Sequence, residues 1–110
     1  MISIPVKTVS TLNKREHWAV RADRARMQRR AALLTVRTLA QSVGLTAVVT
    51  MTRVAPSRGL DDDNLRGALK SIRDGIADAF QVDDRDPRIR WRYEQRRGKD
   101  YAVEVEIAPA

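Results

Sequence analysis

The residues best equipped for chemistry in this chain are carboxylates standing in two short runs. Asp61-Asp62-Asp63-Asn64-Leu65 forms the first, and Asp83-Asp84-Arg85-Asp86 forms the second about twenty residues later. An extended lead-in to a helix places residues i and i+2 on one side, so Asp61 and Asp63 converge there while Asp62 points away. Such a pair offers hard oxygen ligands for Mg²⁺, or for Mn²⁺ in its place, with waters completing the octahedron. A cation held by Asp residues activates a water and neutralises charge developing on a scissile phosphate. The helix N-terminus also helps to hold negative charge at this point. Helix capping by Asp63 or Asn64 is the competing explanation, and it accounts for one Asp better than for three. Two carboxylates ~4 Å apart repel by about 1 kcal/mol even in water, so a divalent cation or a nearby Arg is needed to relieve the cluster.

The rest of the composition says what lies around these acids. The 110 residues contain 21 Lys+Arg and 14 Asp+Glu, a net charge of +7. Residues 1–60 hold 11 basic side chains against two acids (+9), whereas residues 61–110 hold 10 against 12 (−2). An excess of this size, gathered in one half, predicts attraction to a polyanion. It peaks at Arg15, Arg21, Arg24, Arg26, Arg29 and Arg30, and Arg is suited to bidentate phosphate contacts. Arg58 and Arg66 flank the acidic motif, while Arg88, Arg90 and Arg92 share one face of a late strand; these complete the expected DNA-binding set. Trp91 and Tyr93 alternate with those Arg and are read as core rather than as base-stacking rings. His17, beside Trp18, is read as a loop or helix-start residue in preference to a proton donor. The absence of Cys excludes disulfides, zinc fingers, iron–sulfur clusters and thiol nucleophiles, and a single His excludes poly-His metal sites. No apolar run reaches the ~18–20 residues of a membrane span, so a soluble, cytoplasmic protein with no membrane partner is expected.

Positioning these groups requires elements that the periodicity supplies. Ile2, Ile4 and Val6 alternate as a short strand, which Pro5 assigns to a sheet edge. Thr11-Leu12-Asn13 reads as a loop, followed by a helix from about Lys14 to Val43. Trp18, Ala22, Ala25, Ala32, Val36, Leu39 and Val43 form its apolar stripe, Arg29 interrupts it, and Gly44 is the C-cap. The interruption implies that the N-terminal half of this helix projects from the core. Ala47 to Val54 is a second strand. Leu65, Ala68, Leu69, Ile72, Ile76 and Phe80 mark an amphipathic second helix. Strands from Ile89 to Tyr93 and from Tyr101 to Ile107 follow, read as a hairpin around Gly98. The expectation is one α+β domain over residues 1–110, in the order β-α-β-α-β-β, with two helices on one face of a mixed four-stranded sheet.

The stretch Arg58 to Asp84 resembles the RusA-type Holliday junction resolvases, small basic dimeric nucleases of bacteria and their phages. Those proteins open a helix with Asp-x-Asp-Asn-Leu and place an Asp-Asp pair before a strand; here Asp61–Leu65 and Val82-Asp83-Asp84 match. The flanks are similar too, with a short N-terminal strand, a loop holding Asn13 and His17, and a closing hairpin after the acidic pair. The specific part covers about 25 residues. The resemblance implies a Mg²⁺-dependent, structure-specific endodeoxyribonuclease that resolves four-way DNA junctions in recombination and repair as a homodimer. It implies that Asp61, Asp63 and Asp84 are catalytic, with Asp83 joining them as metal ligands. The family's catalytic Lys position is Gly67 here, and Lys70, one turn later at a similar azimuth, is the substitute. Asp62 also departs from the family, which has an apolar residue there. The alternatives are a junction-binding protein of the same fold with weakened or lost cleavage, and a basic nucleic-acid-binding module whose Asp clusters only cap helices and pair with Arg.

A helix from Asn64 to Phe80 is ~25 Å long, which separates Asp83 and Asp84 from Asp61 and Asp63 of the same chain. They meet only through a sharp fold-back or across a two-fold axis, and two symmetric cuts favour the second arrangement. Mixing Asp61→Asn and Asp84→Asn protomers should therefore restore one wild-type site per heterodimer. Mixed dimers as inactive as either parent would rule out a shared site.

Overall fold

The computed structural model describes residues 1–9, 17–44 and 46–110, so the expectations at Thr11–Glu16, including Arg15, lie outside the described residues. Its elements are β1 (Ile2–Ile4), α1 (Trp18–Val43), β2 (Ala47–Ala55), α2 (Asp62–Phe80), β3 (Ile89–Arg97) and β4 (Ala102–Pro109). The sheet is mixed and runs in the order β1-β4-β2-β3. β2 pairs in parallel with β3, while β4 is antiparallel to both β2 and β1. β1 is an edge strand, as Pro5 implies.

The last two strands do not form a hairpin. β2 lies between them: the chain leaves β3 at Arg97, passes over the end of β2 and returns along its other side as β4. Gly98 makes the crossing, donating its N–H to the Ala55 carbonyl at 3.0 Å, and a Cβ there would run into Val54 Cγ1. The physical reason is burial. β2 buries Ala47, Val49, Met51, Arg53, Val54 and Ala55, and a strand so enclosed needs partners on both sides. β3 buries only Ile89 and takes the edge that its exposed Arg and Glu can tolerate.

Both helices cover one face of the sheet, where Val49, Met51, Val103, Val105 and Ile107 meet Leu65, Leu69, Ile72 and Ile76 of α2. All six apolar positions expected on α2 are buried. α1 contributes a narrower seam of Gln28, Ala32, Val36 and Ala40. At ~39 Å for 26 residues it outruns the strands it crosses. Trp18 is 70% and Met27 72% exposed, so Trp18 does not belong to the core stripe. The expected projection of the whole N-terminal half stops short of Gln28 and Arg29, which pack inward. The described helix α1 begins at Trp18, where His17 is extended and its Nδ1 accepts from the Ala19 N–H at 3.2 Å. Gly44 ends the helix at φ 88°, a region that favours Gly. No helix among the described residues is long and apolar enough to cross a membrane.

α1 and α2 touch most closely at Gly75. A Cβ there would lie 2.7 Å from Ala32 Cβ and nearer still to the Arg29 carbonyl oxygen, which is rigid backbone. Beside this contact, Arg29 clamps Asp78 with two bonds of 2.6 and 2.8 Å. Gly75→Ala should therefore destabilise the fold by about 1–3 kcal/mol through overpacking, despite the better helix propensity of Ala. Denaturant unfolding checks this; a neutral or stabilised variant would show that the helices can separate freely.

Candidate functional site

The N-terminus of α2 is built around Asp61. Its backbone is extended, and Oδ1 accepts from the Asn64 backbone N–H and from Asn64 Nδ2, both at 2.9 Å. Asp61 is thus the N-cap, in place of Asp63 or Asn64, and Asp62 and Asp63 already lie in the first helical turn. The helix has therefore begun before Asp63, so helical geometry rather than strand alternation sets how Asp61 and Asp63 are placed. The helix starts early because an Asp side chain satisfies one of its otherwise unpaired N–H groups. All three Asp are exposed, with two acids in the first turn at the positive end of the helix dipole.

The loop leading to Asp61 is tied to β3 by a residue that the sequence reading passed over. Gln95 Oε1 accepts from Leu60 N at 2.8 Å, and its Nε2 donates to the Leu60 carbonyl at 2.7 Å. Gly59 lets the loop come close, since a Cβ there would be 3.2 Å from Gln95 Oε1. The available signal was positional: Gln95 continues the core-facing row of Ile89, Trp91 and Tyr93.

At the other end of α2, Gln81 takes a left-handed conformation (φ 60°) and the chain turns back along the helix. This fold-back brings Asp84 to Lys70: Nζ lies 3.1 Å from Asp84 Oδ2 and 2.7 Å from Asp74 Oδ1. Arg73 Nε lies 3.2 Å from the same Asp84 oxygen, an ion-pair contact without hydrogen-bond geometry. Arg73 donates to the Asp84 carbonyl at 2.7 Å and to the Tyr93 hydroxyl at 2.6 Å, and its guanidinium stands 4.8 Å from the Trp91 ring centre. Trp91 Nε1 donates to the Asp84 carbonyl at 3.0 Å. Trp91 and Tyr93 thus face the core side, half-buried at its margin, and hold the Asp84 turn. Arg66 lies over the Tyr93 ring at 5.5 Å. Arg73 and Asp74 were not anticipated, although they sit three and four residues after Lys70, the spacing at which helical side chains meet.

Burial acts to lower the Lys70 pKa, but hydrogen bonds to Asp74 and Asp84 and their charges outweigh it and hold the group above its ordinary value. Lys70 is therefore an ammonium at neutral pH, fit to hold negative charge and unfit to take a proton. Asp83, beside Asp84, is bound by Arg85: its Oδ1 accepts from Arg85 N at 2.8 Å and lies 3.2 Å from Arg85 Nε, and these contacts keep its pKa low. Asp86 is held at about 2 by Arg88, through a side-chain hydrogen bond first and a backbone one second.

Asp63, Arg66 and Lys70 share one face of α2, yet Lys70 lies seven residues beyond Asp63, ~10.5 Å along the axis. The fold-back carries Asp84 to Lys70 and no further. Among the described residues, no three His, Asp or Glu side chains gather to hold a metal ion. The expected metal set of Asp61, Asp63, Asp83 and Asp84 therefore does not assemble within one chain. The separation follows from the helix length and from the capture of Asp83 and Asp84 by neighbouring cations.

The Arg set is divided as well. Arg26 pairs with Asp23, Arg29 with Asp78 and Arg88 with Asp86, so these three already have carboxylate partners. Arg21 and Arg24 are half-buried, whereas Arg30 and Arg58 are exposed. Arg90 and Arg92 lie exposed on the sheet face that no helix covers. Comparison with known protein families gives no match, and neither does comparison with curated proteins.

The Arg29–Asp78 pair makes stability depend on pH. The hydrogen bond from Arg29 holds the Asp78 carboxyl below its ordinary 3.8, against the opposing effect of burial. Its contribution is complete above the unfolded value and is lost as pH falls through the lower folded value. Asp78→Asn should cost at most about 1 kcal/mol near neutrality, since the pair is solvent-screened. That cost should shrink once pH falls below the ordinary carboxyl value and vanish when Asp78 is protonated in the folded state. Unfolding curves at several pH values check this; a cost that persists in acid would assign Asp78 a role other than charge pairing.

Proposed function

We propose that this protein is a Mg²⁺-dependent endodeoxyribonuclease that cuts four-way DNA junctions as a homodimer. The observation that carries the reading is the acidic motif capping α2, on a helix whose same face bears Arg66 and Lys70 and meets Asp84. It agrees with the RusA-type resemblance of Asp61–Leu65 and Asp83-Asp84. The donor chemistry fits Mg²⁺ in part: Asp61 keeps Oδ2 outside its capping bonds, and Asp63 is exposed at the positive helix end. Mg²⁺ commonly takes one or two carboxylates and fills its remaining positions with water and phosphate oxygens. Asp61 and Asp63 would hold the ion, which would supply an activated water and charge neutralisation.

The other residues orient and neutralise. Lys70, protonated through its Asp partners, would hold charge on the phosphate that reaches this face. Arg30, Arg58, Arg66, Arg90 and Arg92 would bind backbone phosphates, giving a strongly salt-dependent affinity. Junction preference would come from DNA shape. Homodimer formation is supported by the apolar side chains that α1 leaves exposed, Trp18, Val20, Met27 and Leu34. A second subunit would supply the acid that one chain cannot bring to Asp61 and Asp63.

One observation favours a second reading, junction binding without cutting. Asp84 is already neutralised by Lys70 and Arg73, and the family's Lys position is Gly67. A synthetic four-way junction incubated with and without Mg²⁺ decides between them. The nuclease reading expects paired, metal-dependent nicks, reduced at least about 100-fold in Asp63→Asn because several kcal/mol of metal stabilisation is lost. Tight junction binding without nicks selects the second reading. Equal affinity for linear duplex and junction would overturn both.

A further inference from the structure

The basic side chain best removed from solvent is Arg53. It lies in β2 on the row that faces the helices and is only 5% exposed. Burying a guanidinium is costly unless its charge is answered. Arg26, Arg29, Arg73, Arg85, Arg88 and Arg96 each meet a carboxylate. Arg53 meets two hydroxyls instead: Nε donates to Thr8 Oγ1 at 3.1 Å and Nη2 to Ser57 Oγ at 3.4 Å. Neither hydroxyl carries charge, and no carboxylate pairs with Arg53 among the described residues.

The guanidinium instead lines a pocket of about 370 Å³ shared with Ser57, Arg58, Gln95, Arg96 and Arg97. Four Arg and no acid form its wall. Arg96 is held by Glu104, and Arg97 Nε donates to the Pro56 carbonyl at 3.3 Å, so two of the four are oriented by other contacts. Gln95 fastens the loop that forms one side, and that same loop runs directly into Asp61.

We propose that this pocket is a subsite for a phosphate group, with Arg53 as its buried anchor and Arg58 and Arg97 as its outer arms. A phosphate oxygen pair matches the planar guanidinium fork and supplies a counter-charge that no described residue gives Arg53. On the reading of the chain as a DNA-binding protein, on which this inference rests, the group is a backbone phosphate. It would be held beside the carboxylates at the start of α2. Free inorganic phosphate offers the same chemistry.

Titration with inorganic phosphate in the absence of metal, followed by calorimetry and by the Arg Nε–H resonances, tests the site without requiring cleavage. Wild-type protein should bind phosphate with the Arg53 resonance shifting. Arg58→Gln combined with Arg97→Gln should weaken binding at least about tenfold, the loss expected for charge-assisted bonds. Arg37→Gln, on the exposed surface of α1, should leave it unchanged. Arg53→Lys should also weaken binding, and if that variant does not fold the double variant decides. Displacement of phosphate by a short oligonucleotide, with a salt slope for junction binding smaller by about one to two in the double variant, identifies a backbone phosphate. Phosphate binding that an oligonucleotide does not displace assigns the subsite to the free ion. No phosphate binding, or binding indifferent to the double variant, would overturn the proposal. Failure to cut junctions would defeat the nuclease reading alone and leave the phosphate result standing.

Discussion

The arrangement depends on how closely α1 can approach α2. At Gly75 the backbone of α1 lies where any other residue would place a Cβ, and Ala32 fills the facing position. This contact allows two helices to share one face of a four-stranded sheet that is only nine residues long in its central strand. It also sets the relative height of the helices, so that Arg29 reaches Asp78 with both arms of its guanidinium. With α2 held in this way, its exposed flank carries Asp63, Arg66 and Lys70, and the turn after Phe80 folds back beside the Arg29–Asp78 pair to reach Lys70.

The fold-back explains how a basic protein carries so many acids at such short range. Each carboxylate of the second run is answered locally: Asp83 by Arg85, Asp84 by Lys70 and Arg73, and Asp86 by Arg88. The first run is different. Asp61 spends one oxygen on the helix cap, while Asp62 and Asp63 face solvent at the positive end of α2. Of the two runs, the carboxylates available to an external cation are therefore those at the start of the helix. On the basic side, Arg53 is the extreme case, a buried charge whose partners among the described residues are two hydroxyls.

Much of the fold was legible in the chain. Alternation at Ile89, Trp91 and Tyr93 and at Val103, Val105 and Ile107 marks strands, and Leu65 to Phe80 marks a helix, because one buried face imposes its period on each element. The edge position of β1 follows from Pro5. The candidate site was legible in residue identity and much less so in geometry. Asp61 to Leu65 could be picked out as a motif, but the start of α2 depended on which Asp caps it. Gln95, Arg73 and Arg53 carried no motif at all; their roles arise from what lies across from them in space.

The residues by themselves determined the element order, the apolar faces, the split of charge and the acidic motif, since each depends on neighbours within about one helical turn or strand. The tertiary structure decided that β2 separates β3 from β4, that Asp84 belongs with Lys70 rather than with Asp61, and that Arg53 is buried against hydroxyls. These are long-range outcomes. Strand pairing is chosen by which strand has most to bury, and ion pairing by where a turn releases the chain, and neither is encoded in local spacing.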